Sequence, residues 1–278
     1  MLEKTIWPNG KKYAAVISIN LDAEYFGRMY YPNINIEEGD ILNLGITSIK
    51  YGLPKVLDVL DRYGVKASFF VPGGVAKKYP EAVHQAYARG HEIACRGNEF
   101  EIMAQFSKEE QFKMLNNARK EIFDVIGENP TGFRIPEGEI NNDTLSVVKE
   151  LGFKYSSSLS DDDLPYVHKN QNLVELPIHW ELYDLPYFTF TFDPPIPPGQ
   201  ARSSKMEDVL DNWIIEISGA RKYGTFFHLQ IDPQAVGEQG RIFMLEKILD
   251  ELTTDKDVWL TTDIEIANYY MERRNNHV

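Results

Sequence analysis

Extended apolar runs alternate with helix-periodic segments through most of this chain, and few architectures accommodate that order. Tyr13–Asn20 (YAAVISIN) has the Ala, Val and Ile content of a buried strand. Residues 54–63 follow with apolar positions at helical spacing, Pro54 suiting the first turn. Lys66–Val71 predicts the next strand, stopped by Pro72-Gly73-Gly74, and residues 80–89 a helix closed by Gly90 before a short strand at His91–Cys95. Ser107 with Glu110 forms a capping box for a long helix to Ile126, with Gly127 as its stop. Thr131–Ile135 predicts a strand, and Asn142 or Asp143 caps a helix to Leu151. Further strands are expected at 153–156, 173–177, 225–231 and 258–261, with helices near 204–222, 240–252 and 263–273.

Repeated strand-then-helix units require a parallel sheet with helical cover, and about eight strands favour a closed α/β barrel over an open sheet. A single domain spanning residues 1–278 is expected, because barrels of roughly 250 residues commonly form one domain. The alternation breaks at Leu185–Gln200, whose five prolines and aromatics read as an inserted loop, either a lid or an oligomer contact.

Composition narrows the function. A net charge of −13 opposes both nucleic acid and anionic membrane as partners, since each needs a basic surface. No run of roughly 18 apolar residues predicts a membrane span, and the first residues lack the apolar core of a secretory signal, so a cytoplasmic location is expected. One cysteine, Cys95, excludes an intrachain disulfide and a Cys-based zinc site. The six histidines include no pair at a spacing that binds metal locally.

Parallel barrels present functional residues at the C-terminal ends of their strands. Here those ends read Asn20-Leu21-Asp22-Ala23-Glu24, Arg96-Gly97-Asn98-Glu99-Phe100, Arg134-Ile135-Pro136-Glu137-Gly138-Glu139 and Asp232-Pro233-Gln234. Each is a charged segment following an apolar run. Charge in loops is common, so it is their co-location that carries the functional signal.

At these residues the chain resembles the polysaccharide deacetylase family of carbohydrate esterases, and most closely the branch of deacetylase-like allantoinases and cyclic imide hydrolases. The resemblance extends from Trp7-Pro8-Asn9-Gly10 to Asp263-Ile264-Glu265-Ile266-Ala267. It includes Gly90-His91-Glu92-Ile93-Ala94, Gly132-Phe133-Arg134-Ile135-Pro136, Asp162-Asp163-Leu164-Pro165-Tyr166, Glu175-Leu176-Pro177-Ile178-His179-Trp180 and Asp232-Pro233-Gln234-Ala235-Val236-Gly237. The resemblance implies a distorted (β/α) barrel of seven or eight strands and hydrolysis of an N-acetyl or cyclic amide bond. It also implies a divalent metal, usually zinc, held by one Asp and two His, with a second Asp as base and a late His protonating the leaving nitrogen.

Most of those positions are substituted here. The two-carboxylate motif falls on Asn20 and Asp22, so the metal Asp remains and the base position holds an amide. The His-x-x-x-His motif falls on Arg96 and Phe100, and the late His-Pro motif on Asp232-Pro233. Arg96 has no lone pair for a metal and Phe100 has no donor atom, so a zinc centre of the family type is not expected. Three hard oxygen ligands, Asp22, Glu99 and Asp232, offer magnesium or calcium an alternative.

Arg96 beside Asp22 and Asp232 is read either as a salt bridge holding the fold or as the electrophile that polarises a carbonyl. Arg134 is a second such candidate, pairing alternatively with Glu137 or Asp22. Asp22, Glu24, Glu99, Glu137 and Asp232 are candidate bases, with Glu99 and Glu137 alternatively solvated at the rim. The segment with Trp180, Tyr183 and Asp184 either walls the pocket or packs in the core. Tyr25, Phe26, Tyr30 and Tyr31 either hold a small ring or touch a second subunit. His228, an even offset from Asp232 on its strand, lines the interior or contributes to the site. The expected function is hydrolysis of a C–N amide bond in a small-molecule or saccharide substrate without the family's metal site, with a homo-oligomer as the assembly the resemblance and the proline-rich insertion suggest. The alternative is a non-catalytic relative, a pseudoenzyme that binds a ligand in the retained pocket.

Overall fold

The sheet that this alternation builds is curled and almost wholly parallel. In the computed structural model, which describes residues 7–28, 45–188, 191–192, 195–196 and 203–276, the strands are β1 (Tyr13–Asn20), β2 (Ser68–Val71), β3 (Glu92–Cys95), β4 (Gly132–Phe133), β5 (Tyr155–Ser156), β6 (Tyr166–His168), β7 (Leu173–Glu175), β8 (Phe226–Ile231) and β9 (Val258–Thr261). Their order is β8-β1-β2-β3-β4-β5-β7-β6, with β9 also paired to β1. Within this sheet, among the described residues, β6 and β7 are the pair that runs antiparallel. The result is a distorted, half-closed (β/α) barrel, as the sequence predicts.

Helices cover the outer face: α1 (Leu53–Tyr63), α2 (Gly73–Lys78), α3 (Pro80–Ala88), α4 (Lys108–Ile126), α5 (Asn142–Glu150), α6 (Met206–Tyr223) and α7 (Ile242–Thr254), while α8 (Asp263–Asn276) packs Ile266 and Ala267 against the other face of the sheet. The capping box of α4 forms as expected, Ser107 accepting from the Glu110 N–H while the Glu110 carboxylate accepts from Ser107. Gly127 ends that helix in the left-handed conformation at φ 78°. The cap of α5 is Asn141, one residue before the expected pair, its side chain accepting from the Thr144 N–H. The expected lid at 185–200 is described only in part, as a helical turn Leu185–Phe188 and a small hairpin of Thr191–Phe192 with Pro195–Ile196. The rest of that segment, and Tyr30 and Tyr31, lie outside the described residues, as does the side chain of Phe26. Among the described residues no helix is long and apolar enough to cross a membrane.

The period-two alternation of β-structure decides what faces the barrel interior. On β1, Tyr13, Ala15, Ile17 and Ile19 join the main core beneath the helices. Ala14 and Val16 face the opposite way, into a second core with Trp7, Phe70, Tyr155 and Phe226. Farther along that same interior face, apolar residues give way to buried Ser18 and Asn20. β8 makes the same change, from Phe226 to His228, Gln230 and then Asp232. The interior is therefore apolar toward the strand N-termini and polar toward their C-termini, which is where the candidate groups collect.

Candidate active site

Two buried arginines organise the polar end of the barrel. Arg134, just beyond β4, is 1% exposed. Its Nε donates to the Ser157 carbonyl at 2.9 Å, Nη1 to Ser18 Oγ and Asn20 Oδ1 at 3.0 and 2.9 Å, and Nη2 to Ser157 Oγ at 2.8 Å. Nη2 also lies 3.1 Å from His228 Nε2, so each of the five guanidinium N–H groups has an acceptor. The guanidinium stacks 3.8 Å from the centre of the Phe70 ring. Burial draws its pKa down to about 10, which leaves it a cation at neutral pH. Neither expected partner, Glu137 nor Asp22, forms a hydrogen bond with it; a neutral cage of serine, asparagine and histidine takes their place.

Arg96, just beyond β3, behaves differently. Its Nε donates to both oxygens of Asp22, at 2.8 and 3.0 Å, and Nη1 to the Ile135 carbonyl at 3.0 Å. Among the described residues, Nη2 makes no hydrogen bond. The Phe100 ring lies beneath the guanidinium at 5.5 Å, held there by a Phe100 backbone at φ 69°, a region that bulky residues seldom adopt. Asp22 is 1% exposed and Arg96 5%. Burial raises the Asp22 carboxyl against the pull of Arg96. Burial pulls Arg96 down, but the fields of Asp22, Tyr183 and Asp232, with the hydrogen bond to Asp22, together hold it above its ordinary value.

Asp232 completes the group. Asn20 Nδ2 reaches its Oδ2 at 3.3 Å, and Gln234 Nε2 donates to Oδ1 at 3.0 Å. Because Arg134 donates to Asn20 Oδ1, the Asn20 amide is oriented with its N–H side toward Asp232. The nearby Tyr183 hydroxyl draws the Asp232 carboxyl down against its burial. Asp184 clamps the turn, its carboxylate accepting from the backbone N–H groups of Asp232 and Val236 at 3.0–3.1 Å. This turn packs so closely on the residue before α1 that a Cβ at Gly52 would collide with the Pro233 carbonyl. Burial, and then the nearby Asp22, push the Asp232 carboxyl up to about 7. A carboxyl poised there can both take and return a proton near neutrality.

The remaining sequence candidates are dispersed. Glu24 is buried but turned toward the helices, accepting from Tyr79 Oη at 3.0 Å and pairing with Lys78 Nζ at 2.7 Å. Glu99 is exposed in the loop after β3, and Glu137 is half-buried. Trp180 stands 69% exposed, so it is not packed as a pocket wall. His228 lines the interior, fully buried, 3.1 Å from the Pro177 carbonyl through Nδ1 and 3.1 Å from Ser18 Oγ through Nε2. Gln234 was not singled out in the sequence; the signal available was its place two residues beyond Asp232 in a strand-end segment.

The donor set does not suit the divalent ion that the sequence resemblance implies. Arg96 brings a fixed cation to one ligand position and engages both Asp22 oxygens, and Phe100 brings no lone pair to the other. In the magnesium or calcium alternative the third carboxylate, Glu99, is exposed while Asp22 and Asp232 are buried. Among the described residues, no group of three or more His, Cys, Asp or Glu side chains is arranged to hold a metal.

Residues 47–156 match the family model for polysaccharide deacetylase. The peptidoglycan deacetylase of Helicobacter pylori is 26% identical over 263 residues, which span 84% of this chain and 88% of that protein. Other curated relatives are longer, the chain spanning 60% of one and 21% of another. A Mycobacterium smegmatis structure described as a polysaccharide deacetylase superposes with a TM-score of 0.90 at 29% identity, over 96% of this chain and 93% of that one. Puue allantoinase superposes with a TM-score of 0.83 over 98% and 94% of the two chains; at 16% identity this speaks for the fold alone.

Proposed function

From the premise that this chain belongs with the polysaccharide deacetylases, we propose that it hydrolyses a C–N amide bond, in an N-acetyl group or a small or cyclic amide, without a divalent metal. One observation carries the reading: a guanidinium locked onto Asp22 stands beside a carboxyl poised near neutrality. Asp232 takes a proton from water as the water oxygen bonds to the amide carbonyl carbon. Arg96 faces the negative charge that gathers on the carbonyl oxygen, doing with a fixed cation what the related enzymes do with a metal. Asp232 then returns the proton to the nitrogen as the C–N bond breaks, leaving a carboxylic acid and an amine. Asn20 and Gln234 orient Asp232, and Asp22 orients Arg96. In this scheme Glu137 sits at the edge and tunes Asp22, whose carboxyl its like charge raises.

The near-complete burial of the group favours a second reading, a non-catalytic protein that binds an amide-bearing ligand when the site opens. Purified protein assayed on acetylated sugars, cyclic imides, hydantoins and ureides, with chelator and with added zinc, separates the two. The hydrolase reading predicts turnover insensitive to both additions and abolished in Asp232→Asn. The binding reading predicts no turnover but saturable binding that Arg96→Met removes. Given the chain's acidity, a small-molecule or saccharide substrate and a cytoplasmic location belong to the same proposal.

A further inference from the structure

Beside Asp232 two polar groups are left with opposite needs. The hydrogen bonds of Arg96 to the described residues run through Nε and Nη1 and leave Nη2 as a spare donor, and Gln234 Oε1 is a buried acceptor with no hydrogen bond. Gln234 is only 2% exposed and is anchored through its other amide atom, Nε2 to Asp232 Oδ1 at 3.0 Å, so Oε1 is held in place. A buried acceptor left without a donor costs on the order of 1–3 kcal/mol, which a bound donor would recover. Two carboxylate oxygens of buried Asp263 also lack a hydrogen bond, and Oδ1 lies 3.3 Å from His228 Nε2.

We propose that Gln234 is the specificity-determining residue of this site, its Oε1 accepting the N–H of the amide whose carbonyl oxygen faces Arg96 Nη2. The inference rests on the amide-directed reading above and adds a requirement to it: the scissile nitrogen must carry hydrogen. An N-methyl amide presents the same carbonyl and the same bond to break, yet leaves Oε1 unpaired and puts a methyl group against it. Sites built to hydrogen-bond a polar group reject analogues that lack it far more strongly than apolar pockets reject an extra methylene.

The test compares two matched pairs, succinimide with N-methylsuccinimide and N-acetylglucosamine with its N-methyl amide, on wild type, Gln234→Met and Gln234→Glu. The quantity read is the ratio of kcat/KM within a pair, which is independent of the folded fraction of any variant. Wild type is expected to prefer the N–H member by about 100-fold or more. Gln234→Met should bring that ratio within about threefold of unity, and Gln234→Glu, which keeps an acceptor oxygen, should preserve a preference of at least about tenfold. Equal rates on both members in wild type, or an undiminished ratio in Gln234→Met, would overturn the role of Gln234 and leave amide hydrolysis intact. If nothing is turned over, calorimetric titration with the same compounds replaces the rates. N–H-selective binding that Gln234→Met loses would then retain the role of Gln234 while ending the hydrolase reading. Absence of both turnover and binding would end both.

Discussion

Arg134 and Arg96 are both buried guanidinium groups at the ends of neighbouring barrel strands, and they spend their hydrogen bonds in opposite ways. Arg134 satisfies all five N–H groups with protein acceptors and lies flat on Phe70. Arg96 uses Nε and Nη1 and leaves Nη2 without a partner among the described residues. Its aromatic neighbour, Phe100, lies farther away, at 5.5 Å. Full saturation is what a structural cation needs, because every unpaired buried donor is costly. Partial saturation beside an equally unpaired acceptor is what a binding site needs. On this comparison rests the proposal that Arg134 serves architecture and Arg96 chemistry.

Substitution at Arg134 tests the architectural half and carries the largest expected effect. Arg134→Met takes a donor from Ser18, Asn20, Ser157 and His228 at once and should cost about 3–5 kcal/mol in urea unfolding. Arg96→Met should cost less, about 1–3 kcal/mol, because Asp22, already raised by burial, can take up a proton when its partner goes. Its turnover should nonetheless fall by about 100-fold or more, with the double variant Arg96→Met, Asp22→Asn regaining stability but not activity. Were Arg96→Met the more destabilising of the two yet active, the assignments would be reversed.

A pH titration sharpens the chemical half. Asp232 titrates near 7 in the folded protein against roughly 3.9 when unfolded. Between those values the folded state holds a proton that the unfolded state has released, so this carboxyl's contribution to stability falls as pH rises through that window. Turnover runs the other way: kcat/KM should rise with pH to a plateau above about 7, and a flat profile would remove Asp232 as the base. The smallest effects belong to the outlying candidates. Trp180→Ala should change stability by no more than about 0.5 kcal/mol, given its exposure, and Glu99→Gln should leave turnover unchanged.

Which parts of this arrangement were legible in the sequence follows from how local their causes are. Caps and stops at Ser107, Glu110 and Gly127 depend on a few neighbouring residues, and the structure keeps them. Strand β6 (Tyr166–His168) was missed because it is three half-buried residues whose pairing with β7 comes from a hairpin rather than from an apolar run. Strand-end charge located Asp22, Arg96 and Asp232 correctly at one end of the barrel. Glu24 shows the limit of that rule: two residues beyond Asp22, a left-handed Ala23 at φ 49° sends the chain toward Tyr79 and Lys78. The partners of Arg134 were likewise illegible, since acids are the expected counterparts of a guanidinium and the fold instead supplies neutral acceptors up to 116 residues away. Gln234 needed three dimensions, because an unpaired acceptor is a property of what surrounds it.

The central claim, that Arg96 supplies the cation this site needs, is tested most directly by assaying amide hydrolysis in protein stripped with chelator, before and after zinc is restored, in wild type and in Arg96→Met. The account predicts equal turnover by wild type under both conditions and its loss in Arg96→Met under both. Wild-type turnover that appears only with zinc, or activity in Arg96→Met equal to wild type, would contradict it.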